Sequence, residues 1–229
     1  DNNRWNSPKY ILGESYGGIR GPQMLNELRD GSLTNIEING IILVSPATDL
    51  QHIRFTPGNN MPYLGYLPTF AATAYYHDKI KTTKSLEDFY EEAKDFSLHE
   101  FGPALLKGSR ISEKEKDNIA ERLSYYSGLS KQFILNSNLR VDASSFRKEL
   151  LREEGFSVGR LDARYKGKDY VVAGQYPDTD ISSEGFSAAY VSALHVWLAE
   201  IGVNIKRLYR SGDDELSKNW DWVSTQKGW

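Results

Sequence analysis

The chain has 229 residues, of which 39% are hydrophobic and 26% charged, proportions ordinary for a globular protein and sufficient for one large domain or a domain carrying an insertion. A net charge of -3, with basic residues scattered among acidic ones, gives no electrostatic reason to expect nucleic acid. Zero cysteines exclude a disulfide framework, a thiolate zinc site and a cysteine nucleophile, no apolar run reaches the roughly 18 residues of a membrane-spanning helix, and DNNRWNSPK at the start lacks the layout of a signal peptide.

The first elements read as β-α-β. PKYILGE (Pro8 to Glu14) predicts a short buried strand ending at glycine. From Ser15 a helix with Ile19, Leu25 and Leu28 on its apolar positions is expected, stopped by Gly31. IEINGIILVSP (Ile36 to Pro46) supplies a second, β-branched strand, and such a unit implies a parallel sheet. Pro22 sits where the second helical turn needs an N–H, which predicts a bend or a late helix start.

From Met61 to Gly155 the pattern is helical, about four or five helices. Ser85 and Ser112 precede Asp88 and Glu115 by three residues, the second pair forming a full capping box on sequence grounds. Gly108, Gly128 and Gly155 stand where helices should end. Phe89, Ala93 and Phe96, then Ile119, Leu123 and Tyr126, recur at helical spacing, and the charge run Glu113 to Asp117 reads as a solvated face. A loop-rich stretch follows Gly155, then an amphipathic helix from about Phe186 to Glu200 with Phe186, Tyr190, Ala193, Leu194, Trp197 and Ile201 on one face. Asn204 to Tyr209 is a weak strand candidate before a polar, then aromatic, terminus. There is no internal repeat and no low-complexity segment. The fold class expected is α/β, divided as residues 1–60, 61–155 and 156–229.

GESYGG, residues 13–18, carries the chemistry. G-x-S-x-G between a strand and a helix is the setting of a nucleophile elbow: the serine stands on a turn so tight that flanking side chains would collide, hence Gly13 and Gly17. Ser15 is then the candidate nucleophile. The N–H of Tyr16, at the helix start, is placed for the oxyanion of a tetrahedral intermediate. Glu14 has two readings: a solvated or salt-bridged carboxylate, or a carboxyl beside the scissile bond that recognises the substrate. To bind a free carboxylate it must be protonated, which favours acidic working pH.

YILGESYGG, GIILVSP one helix later, the helical insertion, VGRLDARY and NWDW together resemble the serine carboxypeptidases of the α/β-hydrolase superfamily, over essentially the whole chain. The resemblance implies an α/β-hydrolase core (1–60), an all-helical cap (61–155) and a return to the core (156–229). It also implies Ser15 as nucleophile, Tyr16 N–H as half of the oxyanion hole, and Glu14 in the site that holds a peptide's C-terminal carboxylate. Family members release single residues from peptide C-termini without a metal or other cofactor, and the resemblance implies a secreted or periplasmic location. Many eukaryotic members are disulfide-rich, so a cysteine-free chain points to a bacterial-type branch.

A serine of this type needs a histidine base and an acid, in the chain order Ser, Asp or Glu, His, on loops after later strands. Of the four histidines, His52 follows the second strand too closely, His77 and His99 lie in the helical block, and His195 lies inside a helix. Pairing Asp162 with His195 satisfies the order but not the context. The expectation is therefore an internal fragment of a longer hydrolase, without the triad acid and histidine and without the loop that donates the second oxyanion N–H. An esterase or acyltransferase on the same scaffold, or a non-catalytic hydrolase-like binding protein, stays open as an alternative.

Overall fold

In the computed structural model, which describes residues 3–30, 36–203 and 214–219, the chain is mixed α/β. It divides into two compact units, Asp1–Arg54 with Tyr209–Trp229, and Phe55–Leu208. The predicted strand Asn204 to Tyr209, the helix stop at Gly31 and the tryptophans of NWDW lie outside the described residues.

In the first unit β1 (Tyr10–Glu14) pairs in parallel with β2 (Gly40–Val44), in register from Tyr10 opposite Gly40 to Glu14 opposite Val44. Parallel neighbours need a crossover, and α1 (Gly17–Asp30) is that connection. Alternation along the strands gives the sheet two faces. On one, Ile11 and Ile41 meet α1: a Cβ built on Gly21 would lie 3.5 and 3.9 Å from their Cγ2 atoms. On the other, Tyr10, Leu12, Ile42 and Val44 are exposed. The expectation of a buried strand is thus corrected to one face, because a single helix covers only one side of a sheet. Pro22 causes no late start: α1 begins at Gly17 and carries the proline in its second turn. The requirement that the helix begin beside Ser15 overrides the local preference.

The second unit is built from α2 (Met61–Tyr76), α3 (Leu86–Phe96), α4 (Gly102–Lys107), α5 (Glu113–Ser127), α6 (Lys131–Asn136) and α7 (Ala143–Glu149). It continues with the antiparallel pair β3 (Phe156–Val158) and β4 (Lys166–Lys168), and the long α8 (Ile181–Glu200). Several of these helices begin on side-chain caps, α2 and α4 being exceptions. Ser85, Ser112 and Ser130 each accept an N–H from three residues on, and Asp142 accepts those of Ser144 and Ser145. At Ser112 only half of the expected capping box forms, since the Glu115 carboxylate turns to Lys107 Nζ (2.6 and 2.8 Å). Gly128 ends α5 with φ +70°, where a Cβ would also meet Lys79 Cβ at 2.9 Å.

The spaced apolar residues become the core: Phe89, Ala93, Phe96, Ile119, Leu123 and Tyr126 are all buried. Phe70 of α2 stacks on Phe146 of α7, ring centroids 4.0 Å apart, which joins the ends of the helical block. Glu113 to Asp117 is the solvated side of α5, with Asp117 on Lys131 and Glu115 on Lys107. The expected single apolar face of α8 is not what the helix has: apolar residues run round its circumference, and Tyr190, Val191, Val196 and Trp197 are all exposed. DELSKN, read as part of a polar tail, forms the short helix α9 (Asp214–Asn219). No helix among the described residues is long and apolar enough to cross a membrane.

Lys148 and Asp169 form a buried ion pair, Nζ to Oδ2 2.5 Å, with side chains 1% and 2% exposed. The approach is charge to charge, off the hydrogen-bond direction, so Oδ2 accepts nothing else. Lys148 also donates to the Val171 carbonyl (2.6 Å), and Asp169 Oδ1 accepts the Asp178 N–H (3.3 Å). Removing one partner leaves a buried charge uncompensated, whereas replacing both need not. Lys148→Met is expected to destabilise the chain by about 3–5 kcal/mol in urea denaturation followed by circular dichroism. Adding Asp169→Leu should restore most of that loss; an unchanged midpoint in the single variant would show the pair to be inert.

Candidate active site

β1 stops at Glu14 and α1 starts at Gly17, so Ser15 and Tyr16 alone make the turn. Ser15 adopts φ +53°, a left-handed conformation that costs a residue with a Cβ about 1 kcal/mol or more and needs surrounding contacts to hold it. Those contacts are present. The Ser15 N–H donates to the Val44 carbonyl of the neighbouring strand (3.0 Å), and the Ser15 carbonyl accepts from Gly18 N (3.0 Å) and Ala47 N (2.8 Å). With both backbone groups fixed, the side chain is left exposed. Ser45, immediately after β2, repeats the left-handed conformation with φ +42°.

The glycines divide the work differently from the motif's symmetry. A Cβ on Gly13 would stand 2.4 Å from the Gly17 carbonyl oxygen and 2.6 Å from its carbon, so the strand end and the helix start touch backbone to backbone. A Cβ on Gly17 would meet nothing within 4 Å: that glycine is the surface approached, not the residue that needs to be bare. The second crowded position is Gly18, where a Cβ would lie 2.5 Å from Pro46 Cβ and 3.1 Å from the Ala47 carbonyl oxygen. Sequence reasoning missed Gly18 and Ala47. The signal for both was SPA (Ser45 to Ala47) directly after a strand that must run beside the elbow.

Glu14 is exposed at the end of β1, opposite Val44, and its carboxylate makes no hydrogen bond or ion pair among the described residues. The salt-bridged form of the first reading is therefore not seen there, whereas a solvated carboxylate is what the exposure shows. Tyr16 is partly buried, and its carbonyl accepts from Ile19 N (3.0 Å) and Arg20 N (3.1 Å), closing the first turn of α1. The elbow thus presents a hydroxyl, a carboxyl and a helix N-terminus within consecutive residues. A helix N-terminus favours developing negative charge, so the arrangement suits attack on a carbonyl.

His52, the histidine in the sequence of the first unit, makes no hydrogen bond to Ser15. His52 Nδ1 lies 3.5 Å from Asp49 Oδ2 on the turn after β2. His77 Nε2 meets the Ala163 carbonyl oxygen at 2.7 Å, His99 pairs with Asp95, and His195 is exposed within α8. Asp162, the acid weighed as a partner for His195, is held by Arg164 instead: the guanidinium donates to both carboxylate oxygens (2.9 and 2.6 Å) and the Arg164 N–H to Oδ1 (3.0 Å). These bonds pull its carboxyl down from the ordinary value to about 2.

Comparison of the chain with protein-family models, with curated proteins and with solved structures gives no match.

Gly13→Ala is expected to destabilise the first unit by at least about 2 kcal/mol, because backbone has to move to admit the methyl group, while Gly17→Ala should be close to neutral. Hydrogen exchange of the β1 and β2 amides distinguishes them; equal protection in the two variants would contradict the contact. For Asp162, whose folded-state value lies below its unfolded one, the stabilisation from Arg164 is present above the ordinary carboxylate range and is lost as pH falls through about 2. Carbon-detected titration of the Asp162 carboxyl should find a midpoint near 2. A midpoint near the ordinary value would show the arginine fork to be open in solution.

Proposed function

We propose that Ser15 is the nucleophile of a serine-type acyl hydrolase built on an α/β-hydrolase core, and that its substrates are peptides with a free C-terminus. The observation that carries the reading is the left-handed, exposed Ser15 between a parallel strand and a helix start, held there by the Val44 carbonyl and the Ala47 N–H. An adventitious glycine turn has no need of that strain.

In this mechanism Ser15 Oγ attacks the carbonyl carbon of the last peptide bond while a histidine takes the hydroxyl proton. The carbonyl oxygen becomes an oxyanion facing the Tyr16 N–H at the start of α1, where one such donor lowers the barrier by about 3 kcal/mol. The C–N bond then breaks, the histidine returns its proton to the leaving amine, and water hydrolyses the Ser15 acyl ester. Glu14, as a neutral carboxyl, donates a hydrogen bond to the substrate's terminal carboxylate. That restricts the acyl donors to free acids and the activity to acidic pH. The peptide preference rests on Glu14 and on the resemblance; the acyl-transfer chemistry rests on the elbow.

With His52, the histidine of its own unit, beside Asp49 and not on Ser15, the 229-residue chain alone is expected to release no C-terminal residue from a blocked dipeptide at acidic pH. Release that disappears in Ser15→Ala would contradict the claim that the base and acid lie elsewhere. In a polypeptide that joins the chain to them, a free-acid peptide should be cleaved at least about tenfold faster than its amide, since the site's carboxyl would otherwise face an unmatched partner. Equal turnover of acid and amide would remove the role assigned to Glu14 and leave a general esterase or acyltransferase.

A further inference from the structure

Within the second unit, α2, α7 and the connection from β3 to β4 surround a pocket of about 230 Å³. Tyr66, Phe70, Phe146 and Leu161 give it an apolar wall, and Arg147 and Arg160 a cationic one. The volume is below the roughly 300 Å³ at which drug-sized sites begin, which limits an occupant to about the size of one amino-acid derivative.

The charges around the pocket do not balance. Arg147 is only 13% exposed in its side chain, and its Nε donates to the Val158 carbonyl (3.1 Å). Its carboxylate neighbour is Asp180, whose Oδ1 lies 3.8 Å from Nη2, too far for a hydrogen bond. Asp180 is otherwise engaged: it accepts the Arg160 N–H (2.7 Å) and the hydroxyls of Ser182 (2.8 Å) and Ser183 (2.7 Å). The Arg160 guanidinium is exposed and makes no hydrogen bond or ion pair among the described residues. The other acids on the surrounding segments are committed, Asp142 to the start of α7, Glu149 to Arg152 and Asp162 to Arg164. Burial lowers the Arg147 pKa, and Arg160 acts in the same direction against Asp180. Arg147 has one carboxylate neighbour, already committed, and the Arg160 guanidinium has none, which leaves a surplus positive charge beside an apolar hollow. Guanidinium forks match carboxylates in geometry. A single surplus charge selects a monoanion over a phosphate dianion.

We propose that this pocket binds a small organic monocarboxylate with an aromatic or branched apolar body, its carboxylate on Arg147 and Arg160 and its body against Phe70, Phe146 and Leu161. The site uses second-unit residues alone and does not depend on Ser15 or Glu14.

The test is calorimetric titration of the 229-residue chain with N-acetyl-phenylalanine, its amide and inorganic phosphate. The free acid should bind saturably at one site, the amide at least about tenfold more weakly because a charge-assisted hydrogen bond is lost, and phosphate without saturation. Arg160→Gln, at an exposed position, should weaken the acid about tenfold and leave the thermal midpoint unchanged. Arg147→Lys, which keeps the charge but not the fork, should weaken it as well. Glu14→Gln should bind like the parent chain, so failure of the catalytic reading would not register here. Equal binding of acid and amide, undiminished binding in Arg160→Gln, tighter binding of phosphate, or no saturable binding of the acid would each overturn the proposal.

Discussion

The contact between Gly13 and the backbone of Gly17 is the constraint on which the elbow depends. A methyl group at position 13 would stand 2.4 Å from the Gly17 carbonyl oxygen, so β1 and α1 can be joined through two residues only if residue 13, the last but one of the strand, is glycine. That short connection forces Ser15 into the left-handed region, and a strained residue persists only where its surroundings over-determine it. Here the surroundings are the neighbouring strand and the turn after it: Val44 takes the Ser15 N–H, and Ala47 and Gly18 hold its carbonyl. The hydroxyl is the one polar group of that residue without a partner among the described residues. Strand pairing, helix start and hydroxyl exposure meet at one close approach.

A different device orders the second unit. The helical block is held by conventional aromatic and aliphatic packing, but the segment after β4 leaves its large apolar side chains, Tyr170, Val171, Val172 and Tyr176, exposed and gains little from burying them. It is fastened electrostatically. Lys148 reaches Asp169 and the Val171 carbonyl, Arg152 donates to the carbonyls of Val172 and Gly174, and Asp178 accepts the Val171 N–H at 2.8 Å. Burying a lysine is costly unless its partner is fixed, so the pair specifies one path for the loop more than it adds to stability. Tyr170 and Tyr176 stay exposed on that loop while its backbone is tied. The same economy of charge, taken the other way, leaves Arg147 and Arg160 under-compensated beside their pocket.

Local patterns made the helical block legible in advance. Ser85 and Ser112 do cap helices, Gly128 does end one, and the spaced residues Phe89 to Phe96 and Ile119 to Tyr126 do form the core, because capping and 3.6-residue periodicity are read from a few neighbouring positions. The parallel β-α-β unit followed from the same kind of signal. What could not be read depends on distant partners. Glu115 abandons its capping box for Lys107, and the crowding falls on Gly18, not Gly17, because Pro46, just after β2, packs against it. Asp162 is taken by a nearby arginine, an alternative its spacing to His195 did not reveal. Phe186, Tyr190 and Trp197 share a face of α8 by spacing, but Val191 and Val196 between them place apolar surface on the other sides as well. The pocket with Arg147 and Arg160 draws on segments far apart in sequence, and no local pattern announces it.

The claim on which the functional account stands is that the turn by itself sets Ser15 apart from every other serine in the chain. Limiting fluorophosphonate at alkaline pH, where hydroxide can take the hydroxyl proton, followed by peptide mapping in a mass spectrometer, measures that directly. The account predicts phosphonylation at Ser15 ahead of all other serines, and loss of that preference in Gly13→Ala. Labelling spread over the exposed serines without preference, or confined to another one, would contradict it.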